Sequence, residues 1–288
     1  MVEPDLYKIS FCTTCKGRLS HLQQTLPKNL AALQSYPNAE IVVLDYGSED
    51  GLAAWLQQHY SAEIASGRIR YARYETPDFH MSHAKNMAHR LATGDILCNL
   101  DADNSIVPGF AEWLNRTFHA DKNGFVNPDI LDIHFGAKAG KPWDGLAGRI
   151  AMHRDNFLRL RGYDETISHW GRDATDIVIR AHKLGMSRHA IPQELYGEAI
   201  PHSNEARMEN MSAQDQATSA QNLQRNDLDK ITYVIGNILS SDPKRANGDG
   251  SFGCGTVRIN GGAPTEIAPI PPRWTERVQY AQDAKLTV

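Results

Sequence analysis

No stretch of this chain is long and apolar enough to cross a bilayer, which takes ~20 consecutive, predominantly apolar residues. Positive charge is missing from the N-terminus, where Glu3 and Asp5 stand in place of a basic targeting stretch, so a cytoplasmic location is expected. There is little net charge: 30 Lys and Arg against 34 Asp and Glu leave -4, which gives no electrostatic reason to expect a nucleic-acid partner. Cysteine is scarce as well, with Cys12, Cys15, Cys98 and Cys254 the four present. Cys12 and Cys15 form a CxxC, but no second close pair accompanies them and they sit at the end of a predicted strand. Free thiols are expected there rather than a redox or zinc site.

What is present is enough for one sizeable core, with 41% of the 288 residues hydrophobic. Strands and helices alternate. Ile9–Phe11 is a short apolar strand that runs into the polar turn 13–17. Leu19, Leu22, Leu26, Leu30 and Leu33 follow at helical spacing, with Pro27 predicting a kink or break. Glu40–Leu44 is a second strand and ends in the acidic, Gly-Ser turn 45–51, before a helix with Leu52, Trp55 and Leu56. Ile69–Arg73 is a third strand, His83–Ala92 a helix, and Ile96–Leu100 a fourth strand that ends in Asp101-Ala102-Asp103-Asn104. Such alternation predicts an open α/β sheet, mostly parallel and flanked by helices. Ligands on that architecture sit beyond the carboxyl ends of the strands, where Thr13, Thr14, Asp45, Asp101 and Asp103 all fall.

The second half changes character. Arg149–His153 is a predicted strand, and Trp170-Gly171-Arg172-Asp173 leads into a helix with Ile177, Ile179, Ala181 and Leu184, stopped by Gly185. Residues 213–239 are expected to hold one or two helices. Residues 1–240 are read as one domain, and 241–288 as a Gly- and Pro-rich C-terminal arm. Within the arm, 251–259 is a candidate strand or hairpin. The arm is expected to pack on the domain or to serve as a homo-oligomer contact.

The chemistry centres on Asp101 and Asp103, which flank a small residue where an apolar strand ends. Two hard oxygen donors so placed can share a divalent cation, and the cation can neutralise a diphosphate. The competing reading is that Asp103 or Asn104 caps a helix starting near Pro108. Asp45 can accept from a base or ribose donor, or can hold its own turn. Lys85 can reach a phosphate or lie solvated on the surface. His202, after Pro201 in a stretch without apolar periodicity, is a candidate third metal ligand or an ordinary surface histidine.

Four blocks together carry a family resemblance over roughly residues 7–205. They are Ile41 through Gly51; Lys85-Asn86 through Asp103; Gly162-Tyr163-Asp164-Glu165; and Trp170 through Asp176. In order and spacing the chain resembles the nucleotide-sugar glycosyltransferases with the GT-A, Rossmann-like fold, nearest to glycosyltransferase family 2. The resemblance implies a nucleotide-sugar donor, of which UDP-linked sugars are favoured, and a carbohydrate or other hydroxyl acceptor. It also implies that Thr13, Asp45, Lys85 and Asp101 contact the donor. Asp101, Asp103 and His202 would hold Mn²⁺ or Mg²⁺, and Tyr163, Trp170 and Asp173 would line the acceptor.

Two positions depart from the family pattern. Tyr46 stands where a second acidic residue is common. Ala174 stands where the family's catalytic base is expected, with Asp173 one position earlier. Three accounts follow: Asp173 is itself the base, the enzyme is retaining and needs no protein base, or the motif has lost catalytic use. A nucleotidyltransferase with the same sheet is an alternative, but it calls for a Gly- and Arg/Lys-rich loop after the first strand, which 13–18 supplies sparsely. A non-catalytic sugar-binding domain would accommodate Ala174, yet gives no reason for Asp101, Asp103 and His202 together.

Overall fold

A strand buried on both faces must be apolar or hydrogen-bonded throughout, and the centre of this protein is built from such strands. β1 (Ile9–Cys15) is buried at every position but Thr14, and β2 (Ala39–Asp45) along its whole length. β3 (Ile69–Arg73) pairs parallel with β2, and β4 (Ile96–Asn99) parallel with β1. The computed structural model describes residues 5–128, 145–224, 246–248 and 250–270. Among them the sheet gains β5 (Gly124–Asn127), β6 (Ala151–His153), β7 (Ser187–Ala190), β8 (Gly255–Ile259) and β9 (Pro264–Ile267). The order is β7-β5-β6-β4-β1-β2-β3-β8-β9. The expected parallel arrangement holds for the central β4-β1-β2-β3, while β6 and β8 pair antiparallel with β4 and β3, making the whole sheet mixed.

Helices cover both faces, and alternation along each strand decides which face a residue serves. On one side α1 (Leu19–Ala32), α2 (Leu52–His59) and α5 (Phe110–Ala120) pack on Ile9, Phe11, Ile41 and Val43. On the other, α4 (Met81–Leu91), α6 (Arg154–Arg159) and α7 (Asp173–Lys183) pack on Cys12, Val42 and Leu44. Phe11 is fully buried against Phe110, and truncating such a side chain to Ala costs ~3–5 kcal/mol. Cys12 and Cys15 belong to opposite faces, so the CxxC cannot close on itself; both are free, and burial pushes the Cys15 thiol up to about 12.

Several boundaries differ from expectation. β1 runs on to Cys15, which moves Thr13 from the turn into the strand. α1 continues through Pro27 without a break. Pro27 and Gln23, whose carbonyl loses a donor there, are both exposed, so water can satisfy that carbonyl while Leu22 and Leu26 hold the buried face. α3 (Ser61–Ala65), α8 (Asn204–Met208) and α9 (Ala213–Leu223) complete the described helices. The rest of the region expected to be helical up to 239, and the boundary drawn at 240, lie outside the described residues. So does half of the C-terminal arm, but 255–267 forms a hairpin on the edge of β3 and is part of the central sheet. No helix among the described residues is long and apolar enough to cross a membrane.

Candidate active site

β1 and β2 end level, Cys15 beside Asp45, while β4 ends at Asn99 beside Cys12, three residues before the end of β1. Asp101 and Asp103 follow β4 immediately. Neither caps a helix: α5 begins at Phe110, after Gly109 in the left-handed region at φ 87°. Asp101 is half-buried and accepts from Asn99 Nδ2 at 2.9 Å, which also donates to the Gly148 carbonyl at 2.9 Å. A Cβ at Gly148 would stand 2.5 Å from Asp101 Oδ2 and displace that carboxylate.

His202 reaches the carboxylates through a short backbone splice. Ser105 N donates to the Glu198 carbonyl at 2.8 Å, and Ile200 N to the Asp103 carbonyl at 2.8 Å. Two residues on, His202 Nε2 lies 2.6 Å from Asp103 Oδ2. Beneath this splice sits Arg149, 1% exposed, which donates to the Tyr196 and Ser105 carbonyls. Burial lowers its pKa to about 10. His21, on the first turn of α1, packs edge-on against His202 with ring centroids 5.7 Å apart, and its Nδ1 is buried without a partner. Neither Arg149 nor His21 stood out in the sequence, because nothing local marks them.

Asp173, the first residue of α7, comes to the same place from the opposite side. Its Oδ2 accepts from Lys85 Nζ at 2.6 Å, and the two side chains are 5% and 6% exposed. Burial opposes the Lys85 charge, but Asp173, Asp101 and Asp103 outweigh it and raise its pKa above the ordinary value. Burial raises the Asp101 pKa, Lys85 opposes that shift, and Asp103 and Asp173 add to it. Next to Lys85, Asn86 is fully buried and bonds both backbone groups of Tyr163: Nδ2 to its carbonyl at 2.8 Å and Oδ1 from its N–H at 2.7 Å. A Cβ at Gly162 would run into Asn86 Oδ1, which explains the glycine at φ 66°.

Four of the expected contact residues are buried. Tyr163 is 1% exposed and packs between His89 and Phe157. Thr13 is 2% exposed within β1. Asp45 is fully buried and holds its own turn, accepting from Ser48 N at 2.7 Å, Tyr71 Oη at 2.8 Å and Arg73 Nη1 at 2.8 Å. Lys85 donates to Asp173 Oδ2 at 2.6 Å. Trp170, by contrast, is half-buried, with the Arg207 guanidinium 5.0 Å over its ring.

Whether these residues suit a divalent cation turns on donors and charge. Oxygen and imidazole donors already meet at Asp103 and His202. Asp101, Asp103 and Asp173 all act on the buried Lys85, and Asp101 and Asp103 also act on the buried Arg149. The donor set therefore fits a metal. It is not drawn together in advance, for among the described residues no three His, Cys, Asp or Glu side chains are grouped to hold one.

Comparison with solved structures places the fold. Mannosyltransferase PcManGT from Pyrobaculum calidifontis, solved with GDP-Man and Mn²⁺, is 18% identical with a TM-score of 0.56, covering 82% of this chain and 71% of that one. TarS 1–349 from S. aureus, solved with UDP-GlcNAc, is 13% identical with a TM-score of 0.54, covering 84% and 74%. GalNAc-T7, solved with UDP, GalNAc and Mn²⁺, is 17% identical with a TM-score of 0.53, covering 66% of this chain and 43% of its own. Comparison with curated proteins gives no match. The family model of glycosyl transferase family 2 matches residues 10–169, more than half of the chain and including Asp101 and Asp103, while Trp170, Asp173 and His202 lie beyond it. On that match and the shared GT-A fold, the chain belongs to glycosyl transferase family 2 and is a glycosyltransferase.

Proposed function

We propose that the protein transfers a glycosyl group from a UDP-sugar to a hydroxyl of a carbohydrate or similar acceptor, with the help of Mn²⁺ or Mg²⁺. The observation that carries this reading is the 2.6 Å approach of His202 Nε2 to Asp103 Oδ2, which joins residues 99 positions apart just beyond β4, where Asp101 also lies. Asp101, Asp103 and His202 would hold the metal, which when bound supplies positive charge to the donor's diphosphate. UDP is favoured because two of the three solved proteins named above carry a uridine nucleotide, and Mn²⁺ because two carry that ion.

This chain's own residues have separable tasks. Asp173 would take the proton of the acceptor hydroxyl, a transfer worth ~10²–10⁴-fold in rate. Ala174 beside it has no group that accepts a proton. Asn86 fixes the turn 162–165 that precedes the acceptor segment, and Trp170 offers a ring edge for a sugar. The defining experiment measures release of nucleoside diphosphate from UDP-sugars with and without Mn²⁺, in wild type and Asp103→Ala. Metal-dependent release that Asp103→Ala abolishes, with an unchanged fold by circular dichroism, is expected. Full turnover in the variant or in excess chelator would remove the metal from the reading, and release of pyrophosphate from a nucleoside triphosphate would favour a nucleotidyltransferase.

A further inference from the structure

Lys16 lies in the loop that follows β1, and its side chain is half-buried. An ammonium has three N–H donors and no fixed plane, so it can gather acceptors from several directions at once. All three donors are used on backbone carbonyls: Tyr46 at 3.1 Å, Gly47 at 3.0 Å and Thr76 at 2.8 Å. Tyr46 and Gly47 belong to the turn after β2, and Thr76 to the loop after β3. One side chain thus joins the loops that leave three adjacent parallel strands.

The backbone around Lys16 reinforces the junction. Gly17 N donates to Ser48 Oγ at 3.1 Å, and Tyr46 N to the Cys15 carbonyl at 2.7 Å. A fourth segment closes on it from beyond His202. Asn210 Nδ2 donates to the Lys16 carbonyl at 3.0 Å, and Phe79 N donates to the Asn210 carbonyl at 2.7 Å.

We infer that Lys16 is a positioning residue for the donor: by gathering the loops after β1, β2 and β3, it fixes beforehand the rim on which the nucleoside part of the donor sits. This rests on the nucleotide-sugar reading proposed above, with the ligand beyond the carboxyl ends of the strands. Loops already held in one shape lose less conformational freedom when the ligand arrives, and the difference appears as affinity. The ammonium is saturated by carbonyls, so it acts through the loops rather than by touching a phosphate.

The test titrates uridine and UDP, each at one fixed concentration of Mn²⁺, into the full chain by isothermal titration calorimetry. Wild type and Lys16→Met are compared below the melting transition, with Tm recorded in parallel. Lys16→Met should weaken uridine binding by about tenfold or more, and UDP binding by no greater a factor. A loss larger for UDP than for uridine marks a direct phosphate contact and overturns the inference. Unchanged affinity for both, with a lowered Tm, makes Lys16 a structural residue only and overturns it as well. Either result leaves the donor reading intact, whereas failure of wild type to bind UDP overturns that reading and this inference with it. If Lys16→Met does not fold, Lys16→Arg takes its place and is read in the same way, since its planar fork keeps the charge but cannot meet three carbonyls gathered about one point.

Discussion

Asp173→Asn keeps the size of the side chain while removing the charge that faces Lys85. In wild type, Lys85 Nζ lies 2.6 Å from Asp173 Oδ2, and side chains 5% and 6% exposed leave little room for water to take over the bond. Removing one partner of a buried ion pair costs ~3–5 kcal/mol. Here Asp101 and Asp103 still act on the ammonium, and the amide oxygen of Asn can still accept, so we expect a loss below that range, about 2 kcal/mol. For a chain of this size that lowers Tm by roughly 3–4 °C. The catalytic effect is larger and separable: kcat at saturating donor and acceptor should fall at least ~10²-fold, because an amide has no basicity. Nucleotide affinity should change little. N-capping does not confuse the result, since Asp173 is the first helical residue, Arg172 is the cap, and no side-chain cap bond forms there. The assay is initial-rate transfer well below the melting transition, with Tm recorded in parallel. Near wild-type kcat would refute Asp173 as the base. A retaining mechanism would then be the better account, in which the departing diphosphate assists the acceptor, and the anomeric configuration of the product would check it.

His202→Ala should weaken Mn²⁺ binding by at least about tenfold while leaving Tm nearly unchanged; an unaltered Mn²⁺ titration would return His202 to a bystander of Asp103. Arg180 is fully buried and donates to Asp176 Oδ2 at 2.8 Å, the Leu160 carbonyl at 2.6 Å and the Gly162 carbonyl at 2.8 Å. Arg180→Met should cost about 3–5 kcal/mol in urea unfolding, and a loss under about 1 kcal/mol would contradict this packing. Burial holds the His89 pKa down at about 3, against ~6.5 in the unfolded chain. The folded state therefore binds fewer protons between those values. The stability gained by keeping His89 neutral is complete above about pH 6.5 and is lost as pH falls toward 3, with a slope of up to ~1.4 kcal/mol per pH unit. His89→Phe, which can keep the stack on Phe157, should flatten that slope between pH 6.5 and 4, and parallel curves for variant and wild type would refute the assignment.

Much of the frame was legible from local pattern. Apolar runs mark β1 to β4 and a Leu stripe with the helical period marks α1, because burial on a regular element repeats with that element's geometry. The acidic pair after β4 was legible for a similar reason: a strand that ends in Asp-Ala-Asp must deliver both carboxylates to the ligand-binding rim. The antiparallel insertion of β6 between β4 and β5 was not, nor was the docking of the β8–β9 hairpin on β3, since pairing partners depend on two segments far apart in the chain.

The same division runs through the site. Sequence by itself determined which residue types stand at the strand ends, and hence the chemistry available to Asp101, Asp103, Asp173 and His202. Tertiary structure alone decided their partners, joining Lys85 to Asp173 across 88 residues and Asp103 to His202 across 99. It also withdrew Thr13, Asp45 and Tyr163 into the interior, where neighbouring strands and helices cover them. Residue type and period are local properties of a chain, whereas burial and charge pairing belong to surfaces that exist only once distant segments have packed.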